Sequence, residues 1–97
     1  MADFAEIDWA RRALGLGETA SMPDIRKAYR RLANRYHPDK GGSASDSERM
    51  AELNRAYRVL LNYCRDYRYS FHEEDVARTY PNEEYMRTWA DRWYHSI

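Results

Sequence analysis

Cysteine is nearly absent from this chain, and so are the residue clusters that hold metals. Cys64 is the single cysteine among 97 residues, so an internal disulfide and a multi-cysteine zinc site are both excluded. His37, His72 and His95 are far apart in sequence and have no metal-ligand spacing. We therefore expect no metal or other cofactor, and a reducing, cytoplasmic setting.

Long apolar runs and an excess of charge of one sign are also missing. No stretch approaches the roughly 20 apolar residues that cross a bilayer, and the N-terminal MADFAEIDWARR has acidic residues where a signal peptide has an apolar run. Sixteen basic and 16 acidic side chains cancel, so the composition indicates neither a nucleic-acid partner nor a membrane. At 43% apolar and 33% charged residues, the chain is typical of one small soluble domain with a modest core.

Glycine and proline are scarce, at four and three residues, and no run of alternating β-branched residues predicts a strand. The fold class expected is therefore all-α. A first helix is predicted from about Asp3 to Leu14, where Gly15 can stop it in a left-handed conformation. Its apolar face consists of Phe4, Ile7, Ala10 and Leu14.

A second helix is predicted to begin at Ser21, which forms a capping pair with Asp24. It should end near Tyr36, because Pro38 pushes His37 out of the helical conformation. The apolar stripe of this helix consists of Ile25, Ala28, Tyr29, Leu32 and Tyr36. The opposite side carries Arg26, Lys27, Arg30 and Arg31.

Residues 38–47 are turn formers and small polar residues, which predict a loop. A third helix should open with Ser45 and Glu48 as a capping box and run to about Asn62 or a few residues beyond. Its apolar stripe consists of Met50, Leu53, Tyr57, Leu60, Leu61 and Cys64. The second and third helices are predicted to pack as an antiparallel hairpin, which the first helix closes.

The C-terminal third of the chain is rich in tyrosine and tryptophan. A short helix is predicted around Glu73 to Arg78, followed by a break at Pro81 and a last helix from about Asn82 to Tyr94. One stripe of that last helix is shared by Tyr85, Met86, Trp89 and Trp93. The predicted organisation is a domain over residues 1–67 and an aromatic-rich helical extension over residues 68–97.

A distinctive motif, His37-Pro38-Asp39-Lys40, lies between the two long predicted helices. The stretch DIRKAYRRLANRYHPDKGG, followed by ERMAELNRAYRVL, resembles the J domain of the DnaJ family over roughly residues 5 to 67. The resemblance implies a helical hairpin that docks on a DnaK-type chaperone and stimulates its ATP hydrolysis on behalf of a client protein of unknown identity. The chain itself is then not an enzyme.

The resemblance also implies which residues contact the chaperone. His37, Pro38 and Asp39 match the family's His-Pro-Asp signature. The family's basic docking face matches Arg26, Lys27, Arg30 and Arg31, with Tyr29 at its edge and Lys40 adding charge beyond the signature. The family's core positions match Leu14, Ile25, Ala28, Leu32, Met50, Leu53, Tyr57 and Leu60, and Met50 replaces the usual Phe.

The charges support this interpretation independently of the family. Residues 22–40 carry six basic and two acidic side chains, a local charge of +4 on a neutral chain. Such asymmetry favours association with an acidic surface and should weaken with salt. Pro38 has a fixed φ angle and pushes the preceding residue, His37, out of the helical conformation. An exposed bend that holds His37 and Asp39 is therefore predicted.

Two other functions stay open at this point. A basic helix in a small helical domain is also typical of a helix-turn-helix nucleic-acid-binding protein, although ten residues are long for that turn and the pI of 6.8 is unfavourable. A J-like structural or protein-interaction module without ATPase stimulation would lack the signature, which is intact here. Catalysis is disfavoured because His37 and Asp39 have no nucleophile beside them.

Overall fold

Four helices occur in order along the part of the chain that the computed structural model describes, residues 2–37 and 44–80. They are α1 (Phe4–Ala13), α2 (Met22–Tyr36), α3 (Ala44–Asp66) and α4 (Glu73–Thr79). The all-helical prediction is confirmed within those residues. The chain divides into two units, Met1–Tyr67 and Arg68–Ile97, each of which is described by itself.

The ends of α1 follow from local capping. The carboxylate of Asp3 accepts a hydrogen bond from the backbone N–H of Glu6 at 2.9 Å, which satisfies one of the unpaired donors of the first turn. Gly15 has a φ of +69°, the left-handed conformation that ends a helix at little cost only for glycine. Phe4 was expected on the apolar face but is 80% exposed, because at 100° per residue it lies at the edge of the stripe formed by Ala10 and Leu14.

The predicted capping box of α2 is confirmed. The hydroxyl of Ser21 accepts from the backbone N–H of Asp24 at 3.2 Å, and the Asp24 carboxylate accepts from the Ser21 N–H at 3.0 Å. The helix ends at Tyr36, and His37 has the extended φ of −64° and ψ of 131° that a residue preceding proline favours. Local sequence signals therefore set both ends of α2.

The start of α3 differs from the prediction. Ser45 was expected as the N-cap, but α3 begins at Ala44, so Ser45 lies inside the first turn. A residue inside the helix has helical backbone angles whereas an N-cap does not, so Ser45 is not the cap of α3. At its other end α3 reaches Asp66, beyond Asn62 as the prediction allowed.

The core of the first unit lies along one side of α3, which packs against both α1 and α2. The buried side chains are Ala10, Leu14, Ile25, Ala28, Leu53, Ala56 and Leu60. Burying one such leucine stabilises the fold by about 1.5–3 kcal/mol. Leu32 and Tyr57 are partly buried against this core, so the predicted core is largely confirmed, whereas Ala56 was missed because it is small.

The predicted antiparallel hairpin is also confirmed, through contacts between α2 and α3. The ring of Tyr29, in the middle of α2, stacks on that of Tyr57. The ring of Tyr36, at the end of α2, lies under the guanidinium of Arg49 near the start of α3. A later residue of α2 thus meets an earlier residue of α3, which is the antiparallel order.

The second unit contributes α4, close to the helix predicted over Glu73 to Arg78. The hydroxyl of Ser70, which precedes this helix, donates to the carboxylate of Asp75 in its first turn. Arg78 pairs with Asp75 one turn later at 3.7 Å. The predicted last helix, about Asn82 to Tyr94, lies outside the described residues.

Candidate functional site

A basic face covers the solvent side of α2. It consists of Arg26, Lys27, Arg30 and Arg31, all of them exposed. Their exposure follows from the helical period, because Ile25 and Ala28 occupy the buried side of the same two turns. Within the described ranges 2–37 and 44–80, none of the four forms an ion pair within 4.0 Å.

The one acidic residue of α2 does not compensate this face. Asp24 is committed to the capping box, where the backbone N–H and then the hydroxyl of Ser21 hold the pKa of its carboxyl below the ordinary value, with a smaller contribution from Lys27. Residues 22–37 contain five basic side chains against this single carboxylate, a charge of +4. The result is a concentrated positive surface on a chain of zero net charge.

Tyr29 joins α2 to its neighbour α3. Its side chain is half-buried, and its hydroxyl donates a hydrogen bond of 2.5 Å to Oδ1 of Asn54 on α3. Its ring stacks on Tyr57 with centroids 4.1 Å apart and planes 8° from parallel. The sequence placed Tyr29 at the edge of the basic face, and the structure adds that it fixes the middle of α2 against α3.

The described part of the signature is His37, the exposed C-cap of α2. It follows Tyr36, whose ring lies beneath the guanidinium groups of Arg35 at 5.5 Å and Arg49 at 5.8 Å. Arg49 was not identified from the sequence, because a polar residue outside the apolar stripe gives no signal until the register of the hairpin is known. The other predicted contacts, Pro38, Asp39 and Lys40, lie outside the described residues.

The described residues lack two features, a metal-binding cluster and a membrane-spanning helix. They contain no group of three or more His, Cys, Asp or Glu side chains that could hold a metal ion, and none of their helices is both long and apolar enough to span a membrane. Cys64 is half-buried, and burial raises the pKa of its thiol, which disfavours the reactive thiolate. The described residues do present an exposed, positively charged surface on α2.

Comparison with known proteins points to a family. The DnaJ domain family model matches residues 12–69. DnaJ homolog subfamily C member 16 of Mus musculus is 33% identical over 84 residues, which are 87% of this chain and 11% of that protein. Chaperone protein DnaJ of Rippkaea orientalis is 53% identical over 47 residues, which are 48% of this chain and 12% of that protein. No solved structure matches.

The chain is thus a small helical module in which α2 presents a basic, solvent-facing surface, is paired antiparallel with α3, and is followed in the sequence by His37-Pro38-Asp39. This chain belongs to the DnaJ domain family, the J domains of chaperone proteins. It spans only 11–12% of the length of the relatives named above.

Proposed function

We propose that this chain is a co-chaperone that docks on a DnaK-type ATPase and stimulates its ATP hydrolysis. The docking residues are the basic face of α2, Tyr29 at its edge, and the signature His37, Pro38 and Asp39, with Lys40 beside it. In this proposal the chain carries out no chemistry of its own. It brings the ATPase to a client protein, and it acts without a cofactor, a nucleic acid or a membrane.

The observation that supports the proposal is that the basic face is exposed and its charges are not paired within the described residues. Arg26, Lys27, Arg30 and Arg31 are exposed, and within the described part of the chain they have no acidic partner at ion-pair distance. Charges held this way on a rigid helix attract an acidic surface without first breaking internal ion pairs. The same helix ends at Tyr36, so its rigid body carries His37 at a fixed distance from the charges.

The two parts of the surface have different physical roles. The basic face acts at long range, since unit charges influence one another over roughly 8–10 Å at physiological ionic strength. The signature acts only on contact, where a histidine and a carboxylate form short, directional hydrogen bonds with partner side chains. Charge thus accelerates encounter, and the signature changes the ATPase once the two proteins have met.

Steady-state ATP hydrolysis by a purified DnaK-type chaperone, titrated with this chain, tests the proposal. The expected result is saturable stimulation whose half-maximal concentration rises with ionic strength, because salt screens the basic face. The chain incubated alone with ATP is the control and should release no phosphate above background. An unchanged ATPase rate across the titration would show that the chain does not act on such a chaperone.

A further inference from the structure

We propose that Arg49 is a positioning residue for His37 and that it acts through the ring of Tyr36. The inference rests on the proposed function, since it assigns the interaction that orients the first residue of the signature. Its basis is a contact between the two helices of the hairpin, at the end from which the signature departs.

The contact joins the last residue of α2 to the second turn of α3. The guanidinium carbon of Arg49 lies 5.8 Å from the centroid of the Tyr36 ring, within the range of a cation–π interaction. Arg35 lies at 5.5 Å from the same centroid, but as the preceding residue of the same helix it cannot fix α2 relative to α3. Arg49 therefore supplies the interhelical part of this interaction.

Arg49 is itself held on α3. Its Nη1 atom lies 3.2 Å from Oε2 of Glu52, one turn further along the helix, which limits the positions that the long arginine side chain explores. The ring of Tyr36 is partly buried against the core. Both partners are thus restrained by neighbours of their own, so the contact costs less conformational entropy than one between two free side chains.

The position of His37 gives this contact its role. His37 follows Tyr36 directly and is the C-cap of α2, where helices tend to fray. Holding the Tyr36 ring against α3 restricts rotation of the last turn of α2, and so fixes the direction in which His37 leaves the helix. Removing Arg49 leaves Arg26, Lys27, Arg30 and Arg31 in place, so encounter should continue while the contact made by His37 becomes less well ordered.

The test uses the stimulated ATPase with Arg49→Gln, which keeps the length of the side chain and removes its charge. Arg58→Gln is the matched control, because Arg58 is an exposed arginine of α3 nine residues further on and so on the opposite side of the helix. Arg49→Gln should lower maximal stimulation about 2- to 5-fold beyond Arg58→Gln, the factor that an exposed cation–π contact provides. The concentration for half-maximal stimulation should match that of Arg58→Gln.

Two further variants distinguish positioning from a general loss of structure. Arg49→Lys keeps a cation over the ring and should restore most of the stimulation. In a double-mutant cycle with Tyr36→Leu, the combined variant should stimulate no less than Tyr36→Leu alone, since both changes remove one interaction. Circular dichroism checks that each variant is helical, and because Arg49 is exposed, its variants test the inference even where Tyr36→Leu unfolds.

The outcomes separate this inference from the proposed function. If Arg49→Gln behaves as Arg58→Gln does, or if the losses from Arg49→Gln and Tyr36→Leu simply add, Arg49 has no positioning role. If the parent chain fails to stimulate the ATPase at all, the proposed function itself is wrong, and this role for Arg49 falls with it.

Discussion

Reversing two charges of the basic face should change association kinetics far more than stability. Arg26 and Arg30 lie one turn apart on α2, both exposed. Residues 22–37 carry five basic side chains and one acidic one. The double change Arg26→Glu and Arg30→Glu leaves three basic and three acidic side chains in this segment, so its charge falls from +4 to zero.

The magnitude follows from the loss of steering. An uneven charge distribution raises association rates by about 10- to 1,000-fold at low ionic strength. A face without net charge should associate without this electrostatic increase in rate. Stability should change by no more than about 0.5 kcal/mol, because both side chains are exposed and neither forms an ion pair within the described residues. We therefore expect an association rate with the DnaK-type chaperone that is at least about 10-fold lower and nearly independent of salt.

Stopped-flow or surface-plasmon measurements over a range of salt concentrations check this expectation. Arg58→Glu with Arg65→Glu is the matched control, since it changes the net charge by the same amount at two exposed positions of α3. The control should keep the association rate and the salt dependence of the parent within a few-fold. Equal salt dependence in the parent and the Arg26→Glu, Arg30→Glu variant would refute α2 as the docking helix.

Two further predictions concern the fold that holds this face. Leu53 is 1% exposed, so Leu53→Ala should lower the free energy of unfolding by about 2–5 kcal/mol in urea titrations. The same change at half-buried Leu61 should lower it clearly less, and equal losses would contradict the placement of the core. Ser21→Ala removes the hydroxyl but keeps the backbone N–H, so it should raise the pKa of Asp24 only part of the way toward its ordinary value of 3.8, as followed by NMR titration. Because the pKa of Asp24 is lowered in the folded parent, its ionised carboxylate stabilises the fold above pH 3.8, and this stabilisation is lost as the pH falls through the lower folded value. A parent and variant with the same acid sensitivity would contradict the capping box.

Local signals made most of the fold predictable from the sequence. Both ends of α2 rest on residues that act within one turn, the Ser21–Asp24 capping pair and the proline that follows His37. The N-cap of α3 was placed wrongly, since Ser45 lies inside the helix and serine is compatible with a first turn as well as with a cap. Ala56 was not identified as a core residue, because alanine is compatible with both the buried and the exposed side of a helix. Only the packing of the helices shows on which side it lies.

The candidate site was predictable in part. The basic face could be read from the helical period, because each exposed arginine follows from the positions of Ile25 and Ala28 on the buried side. The contacts of Tyr29 with Asn54 and of Tyr36 with Arg49 could not. They join residues that are 25 and 13 positions apart, and they depend on hairpin register and side-chain rotamers, which no local pattern specifies.

The most direct test of the account is the ATPase of a DnaK-type chaperone with the Asp39→Asn variant of this chain. The change removes one negative charge from the signature and keeps the size of the side chain. Asp66→Asn, at an exposed carboxylate that ends α3, is the matched control. We expect Asp66→Asn to stimulate hydrolysis as the parent does and Asp39→Asn to abolish stimulation while remaining equally helical and stable. Stimulation by Asp39→Asn equal to that of the parent would contradict the account.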